Sequence, residues 1–228
     1  MVASPPTPRI AVPDIFDEVE EDLRADRARA LLKRYGGVLV AAAVLVVIGA
    51  GAWRAWQWRE NKRIAAIADR YLAAAQIADA QKGPGRDRAI ADFAAIAASA
   101  PTGYRTLADL RAAGLKLQAG DLAGASTLWD KVASDTAADP LLRDLASLQW
   151  AINHVDHGDP AQVAARLGPL ALPDSPWHAL AQETQAMLDL RQGKTAAART
   201  TLTALAQDAT APQGVRQRAQ GLLARIGS

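Results

Sequence analysis

One stretch of this chain gathers side chains that could hold a metal ion. Within "NHVDHGDP" stand His154, Asp156, His157 and Asp159. Imidazole nitrogens and carboxylate oxygens bind zinc and similar cations when three or four converge on one point. The spacing argues against convergence. The two histidines are three residues apart and run into Gly158, a turn position where Asp and His serve as helix caps. His178 lies beyond Pro173 and Pro176. The expectation is a structural turn, with no metal and no cofactor.

Other chemistries lack their residues. The chain has no Cys, so thiol nucleophiles and disulfides are excluded. No Ser sits in a G-x-S-x-G context. The "GPG" at 83–85 falls between helical segments rather than after a strand, so it is no dinucleotide fingerprint. Asp and Glu are scattered without an evident pair. Nothing supports an enzyme or a small-molecule substrate. Beyond residue 53 there are 20 basic and 17 acidic residues, well mixed, which is no footprint for nucleic acid.

The elements that would carry function are therefore helices. Half of the 228 residues are hydrophobic and only 5% are aromatic. Ala, the best helix former, dominates, and few windows alternate as strands do. An all-α chain follows.

Its most distinctive segment is "KRYGGVLVAAAVLVVIGAGAWRAWQWRENK", residues 33–62. From Tyr35 to Trp53 there are 19 consecutive uncharged residues. As a helix they would span about 28 Å, close to the hydrocarbon thickness of a bilayer. Lys33 and Arg34 precede the run, and Trp53, Trp56, Trp58 and Arg59 follow it, in the positions of membrane-interface anchors. A secretory signal would be shorter, lie nearer the start and end in small residues rather than Trp. A buried core helix would not finish in Trp interleaved with Arg. The reading is an uncleaved signal-anchor over 35–58.

Orientation rests on a narrow margin. Arg24, Arg27, Arg29, Lys33 and Arg34 lie before the run, and Arg54, Arg59, Lys62 and Arg63 after it. Five against four is a slight positive-inside bias. The tail also carries Asp14, Asp17, Glu18, Glu20, Glu21, Asp22 and Asp26, whereas a long C-terminal domain crosses largely regardless of charge. The tail is expected in the cytoplasm and the large domain on the other side.

Four segments result. Residues 1–12, with three prolines and no period, are expected to be disordered. Residues 13–34 start well as a helix at Pro13 and Asp14, with acids first and bases last, and Ile15, Phe16, Val19 and Leu23 along one stripe. The span is 35–58, and 59–228 form a helical repeat domain.

The repeat shows in small residues, glycines and prolines at a recurring interval. Ala113, Gly120, Ala125 and Trp129 lead to Pro140; Ala151, Gly158 and Leu167 lead to a proline at 173 or 176; Ala186, Gly193, Ala198 and Leu202 lead to Pro212. Ala89 and Phe93, before Pro101, form the second half of an earlier unit that turns at "KGPG". The glycines 120, 158 and 193 are spaced by 38 and 35 residues. Such a period predicts antiparallel helix pairs stacked into a continuous core. Ala lets the helices approach, the larger residue fills the space between units, and a helix over about 213–226 caps the stack.

This is the tetratricopeptide pattern in degenerate form. The layout also resembles the single-span periplasmic tetratricopeptide proteins known as ancillary SecYEG translocon subunits, of the YfgM type. The resemblance rests on the acidic-then-basic tail, on "KRYGG" entering the apolar run, and on "WRAWQWRENKRIAAIADRYLAA" leaving it, Tyr71 included. It implies a bacterial inner-membrane protein with a cytoplasmic N-terminus and a periplasmic repeat domain. The implied partners are the SecYEG translocon and a membrane-anchored periplasmic chaperone. A tetratricopeptide adaptor for another envelope process, such as division or wall assembly, is the alternative. The repeats depart from a strong consensus, so no peptide-contacting positions carry over.

Overall fold

The computed structural model describes residues 15–80 and 84–227, with side chains from residue 33 onward. The tail 1–12, the stripe of Ile15, Phe16, Val19 and Leu23, and the first half of the "KGPG" turn lie outside the described side chains. Every described element is helical: α1 (Ile15–Ala80), α2 (Pro84–Ser99), α3 (Thr102–Gln118), α4 (Leu122–Ser134), α5 (Pro140–His154), α6 (Pro160–Leu170), α7 (His178–Arg191), α8 (Thr195–Gln207) and α9 (Gln213–Gly227). The chain divides into two compact units, 1–62 and 63–228. From residue 15, the segments expected at 13–34 and 35–58 fall on α1, which runs on to Ala80.

Within the first unit, α1 is apolar on all sides between residues 35 and 53. Val38, Leu45, Val46 and Val47 are 67%, 69%, 71% and 71% exposed. From Lys33 onward the helix is long and apolar enough to cross a membrane. A helix that is hydrophobic all round needs an apolar medium, since no polar face remains for water.

The second unit is built of helix pairs. The end of α1 and α2 share a core around Ile67, Ala74, Ala89 and Phe93, where Tyr71 meets Phe93 edge-on at 5.2 Å between ring centres. Then α3 packs with α4, α5 with α6, and α7 with α8, while α9 closes the end against α8 and α7. Three apolar clusters run through the stack, joined by Leu128 and Leu180. Ala rather than bulky residues fills most helix crossings: Ala89, Ala113, Ala125, Ala146, Ala151, Ala181, Ala186 and Ala198 are all 0% exposed. With no side chain beyond Cβ, they let two backbones pack closely without voids.

Turn chemistry decides where the helices end. Gly120 and Gly193 have φ of +83° and +76°, conformations that a Cβ disfavours and glycine does not. Gly158 serves differently. Its φ is not positive, but an added Cβ would lie 2.8 Å from both the Cβ and the carbonyl oxygen of His154. Of the prolines expected to close units, Pro173 and Pro176 lie in the turn between α6 and α7, whereas Pro140 opens the next helix, as Pro160 also does. Pro140 and Pro160 occupy first-turn positions of α5 and α6, behind the capping carboxylates of Asp139 and Asp159. Those carboxylates accept from the N–H of Leu141 at 2.8 Å and of Ala161 at 3.0 Å. Proline suits the first turn because its missing N–H would have no helical partner there.

Candidate functional site

The metal-capable cluster disperses on folding. His154, the last residue of α5, stacks on Trp150 with ring centres 3.8 Å apart and planes 5° from parallel. Its Nδ1 lies 2.8 Å from the carbonyl of Trp150, and its Nε2 lies 3.3 Å from Ser126 Oγ on α4. Asp159 is the α6 cap, while Asp156 and His157 are exposed. No three His, Asp or Glu side chains gather among the described residues. The opposite face of Trp150 carries the Arg166 guanidinium at 3.9 Å, which also meets Asp130 at 2.6 Å. The stack thus bolts α4, α5 and α6 together.

The repeat positions lie where helices meet. Phe93, Leu167 and Leu202 are 0% exposed, and Trp129 is 2% exposed beside Ala113, Ala125 and Val132. The anchor positions occupy the other unit. Lys33, Arg34, Trp53, Trp56, Trp58 and Arg59 are all exposed. Trp53 and Trp56 pair at 5.5 Å, and the Lys62 ammonium sits over the Trp58 ring at 3.8 Å.

A concavity of the repeat unit lies along the first helices of successive pairs. It is a groove of about 520 Å³ between α7 and α9, with Ile152 of α5 at one end. Leu180, Glu183, Thr184 and Met187 line it from α7, and Arg218, Gly221, Leu222 and Arg225 from α9. Both sets follow the i, i+3, i+4, i+7 spacing of one helix face. None is among the expected repeat positions; that spacing is the signal which marks them.

One polar device crosses the groove. Glu183 is 5% exposed, and its two carboxylate oxygens accept from Arg218 Nε and Nη2, both at 2.6 Å. A buried carboxylate needs such a fork of charged donors, since desolvation without them is costly. The same bond pushes the Arg218 guanidinium still further above its ordinary pKa, so it stays charged. Thr184 satisfies its own hydroxyl by donating to Leu180 O at 2.8 Å. At one end, Arg191 donates to Val155 O at 2.9 Å and ties α7 to α5. The remaining wall is Ile152, Leu180, Met187 and Leu222, an apolar trough with a charged crossbar. A second, smaller depression of about 230 Å³ lies between α3 and α5 over Trp129, edged by Arg111, Gln118 and Gln149.

Chemically, this trough can bind but offers no nucleophile or acid–base pair. Its one carboxylate is locked to Arg218, and Met187 and the leucines adapt to varied apolar surfaces.

A sequence pattern for the tetratricopeptide repeat-like domain matches residues 29–225. The chain belongs to that family. The match takes in the apolar run as well as every helix pair. Comparison with curated proteins and with solved structures finds no match in either. As a tetratricopeptide repeat-like protein it carries a fold typical of non-enzymatic interaction modules, and no catalytic family is indicated. Its partners are expected to be proteins, and the α5–α7–α9 trough offers an open, largely apolar surface.

Proposed function

We propose that this protein is a membrane-tethered scaffold that gathers partner proteins at the secretion machinery of a bacterial inner membrane. Residues 35–58 are the anchor. Residues 13–34 form a cytoplasmic juxtamembrane helix, and the repeat domain from 59 onward lies in the periplasm. The partners are the Sec translocon and a membrane-anchored periplasmic chaperone. The observation that carries the reading is the coexistence, inside one family match, of an all-round apolar helix with Trp and basic flanks and a repeat unit with an apolar trough.

Tethering explains why so plain a trough is useful. Tight interfaces need large aromatic anchors in fitted pockets, and this trough has no aromatic side chain on its walls. Its contacts are therefore weak one at a time. A partner held in the same membrane meets the trough at high effective concentration, so weak contacts suffice.

The test is site-specific photocrosslinking in cells. A photoreactive residue at Met187, on the trough, should capture translocon subunits or the chaperone. The same residue at Thr200, exposed on α8, should not. Equal capture from both positions, or capture of neither partner from Met187, would refute the assignment.

A further inference from the structure

The flank after the apolar run holds more positive charge than export favours. Arg54, Arg59, Lys62 and Arg63 follow it within ten residues, with Glu60 alone opposing them. If the repeat domain is exported, these bases stand on the side that the positive-inside bias depletes. They call for an explanation other than topology.

Geometry supplies one. Arg54, Trp58 and Lys62 recur at four-residue steps and so share one strip of α1. All three are exposed. Taking Trp53 as the end of the apolar zone, Trp58 lies about 7 Å further along the axis and Lys62 about 13 Å. The headgroup layer is only about 5–7 Å deep on each side. A Lys at that height would ordinarily reach past it into water. Here the ammonium lies 3.8 Å from the centre of the Trp58 ring, one turn nearer the apolar run. Helical side chains lean towards the N-terminus, which on this side of the run means towards the membrane. The Lys62 charge is therefore brought down to the level of Trp58, and Arg54, at the edge of the apolar run, snorkels outward towards the same level.

We infer that Arg54, Trp58 and Lys62 form a binding strip for the phosphodiester of an anionic phospholipid. Two cations a turn or two apart straddle one phosphate, and the Trp58 ring packs the glycerol backbone beneath it. A zwitterionic headgroup brings its own ammonium against these bases, so net-negative lipids are selected. Each base near a charged surface strengthens attraction roughly five-fold at moderate salt. This inference rests on the membrane-spanning reading above.

The test uses full-length protein reconstituted in phosphatidylcholine vesicles containing phosphatidylglycerol, with either one class or the other brominated. Bromine quenches the fluorescence of nearby Trp, which reports Trp53, Trp56 and Trp58. Brominated phosphatidylglycerol should quench several-fold beyond its mole fraction. The double substitution Arg54→Gln with Lys62→Gln should remove most of that preference, while Arg88→Gln, on α2, keeps it. Quenching in proportion to mole fraction in the unaltered protein would overturn the inference. So would a preference untouched by the double substitution. Loss of preference on adding millimolar inorganic phosphate, but not chloride of equal ionic strength, would reassign the strip to free phosphate and overturn the lipid assignment. Failure of both brominated lipids to quench would instead overturn the spanning reading itself.

Discussion

Between Val38 and Ile48, eight large apolar side chains stand at 50% exposure or more. In the repeat unit, Phe93, Leu148, Leu167, Leu188, Leu202 and Leu205 are at 1% or less. Both regions are α-helical and Ala-rich, so helix propensity does not separate them, although 35–53 carries no charged residue. Arrangement does. Along α3, α5, α7 and α9 apolar residues return every three or four positions and leave a polar face, which water can solvate. Along 35–53 they occupy every face, and among the described residues none of this run is buried. A stripe thus leaves a helix one face for water, while its absence leaves 35–53 long and apolar enough to cross a membrane.

Tryptophan gives the sharpest way to break that contrast. Trp129 is 2% exposed and Trp56 is 59% exposed. Trp129→Ala should lower the stability of the repeat unit by about 3–5 kcal/mol, through lost burial and the cavity left behind. Trp56→Ala should leave the urea midpoint of that unit unchanged. Equal midpoints for the two variants would mean that the helix pairs are out of register.

A smaller loss is expected at the groove. Arg218→Met strands the buried Glu183 carboxylate without its two charged donors. The expected cost is about 1–2 kcal/mol, towards the low end for an orphaned charge because Arg218 is half in solvent. An unchanged denaturant midpoint would show that water replaces the guanidinium freely, and the crossbar would then be no structural element.

Much of this architecture was legible in the chain. The all-α class, the helix pairs and the terminal cap follow from glycine, proline and Ala spacing, and the apolar run from its length and flanks. What was not legible depends on contacts between distant residues. Glu183 and Arg218 are 35 positions apart, and nothing local marks either as half of a pair. The i, i+4 step from Trp150 to His154 could have been read as a stack. Arg166 on the other ring face could not, because it arrives from another helix. Gly158 looked like its two counterparts, yet it is needed for closeness to His154 rather than for backbone conformation.

That last distinction can be sharpened by substitution. Gly193→Ala puts a Cβ on a residue with φ of +76°, at a cost of about 1–2 kcal/mol from backbone strain alone, since no heavy atom lies within 4 Å. Gly158→Ala strains no dihedral but must displace His154. Its signature should therefore be a changed environment of the Trp150 ring, visible in near-ultraviolet circular dichroism, which Gly193→Ala leaves intact. The reverse pattern would contradict the two assigned roles.

The weakest expected effect is that of pH. Asp121 has its carboxyl pKa lowered first by the hydrogen bond from Lys116 and then by the N–H of Gly124. The N–H of Ala137 and then Arg105 lower that of Asp135, and Thr210 lowers that of Asp208. A carboxyl whose folded pKa lies below its unfolded one stabilises the fold above the unfolded value, and that contribution disappears as pH falls through the folded value. The melting midpoint of the repeat unit should thus hold level down to about pH 5 and decline below about pH 4. A midpoint that rose on acidification through this range would contradict the stabilising hydrogen bonds assigned to these carboxylates.

The central claim is that the exposed apolar helix holds the repeat unit on the far side of a membrane from residues 1–34. The chain contains no cysteine, so one introduced thiol is unique and reports its own side. Cells would carry either Ser4→Cys in the tail or Thr200→Cys on the exposed surface of α8, and spheroplasts of each would be treated with a membrane-impermeant maleimide. The account predicts that Thr200→Cys is labelled in intact spheroplasts and Ser4→Cys only after lysis. Labelling of Ser4→Cys before lysis with Thr200→Cys protected, or labelling of both in a soluble fraction, would contradict it.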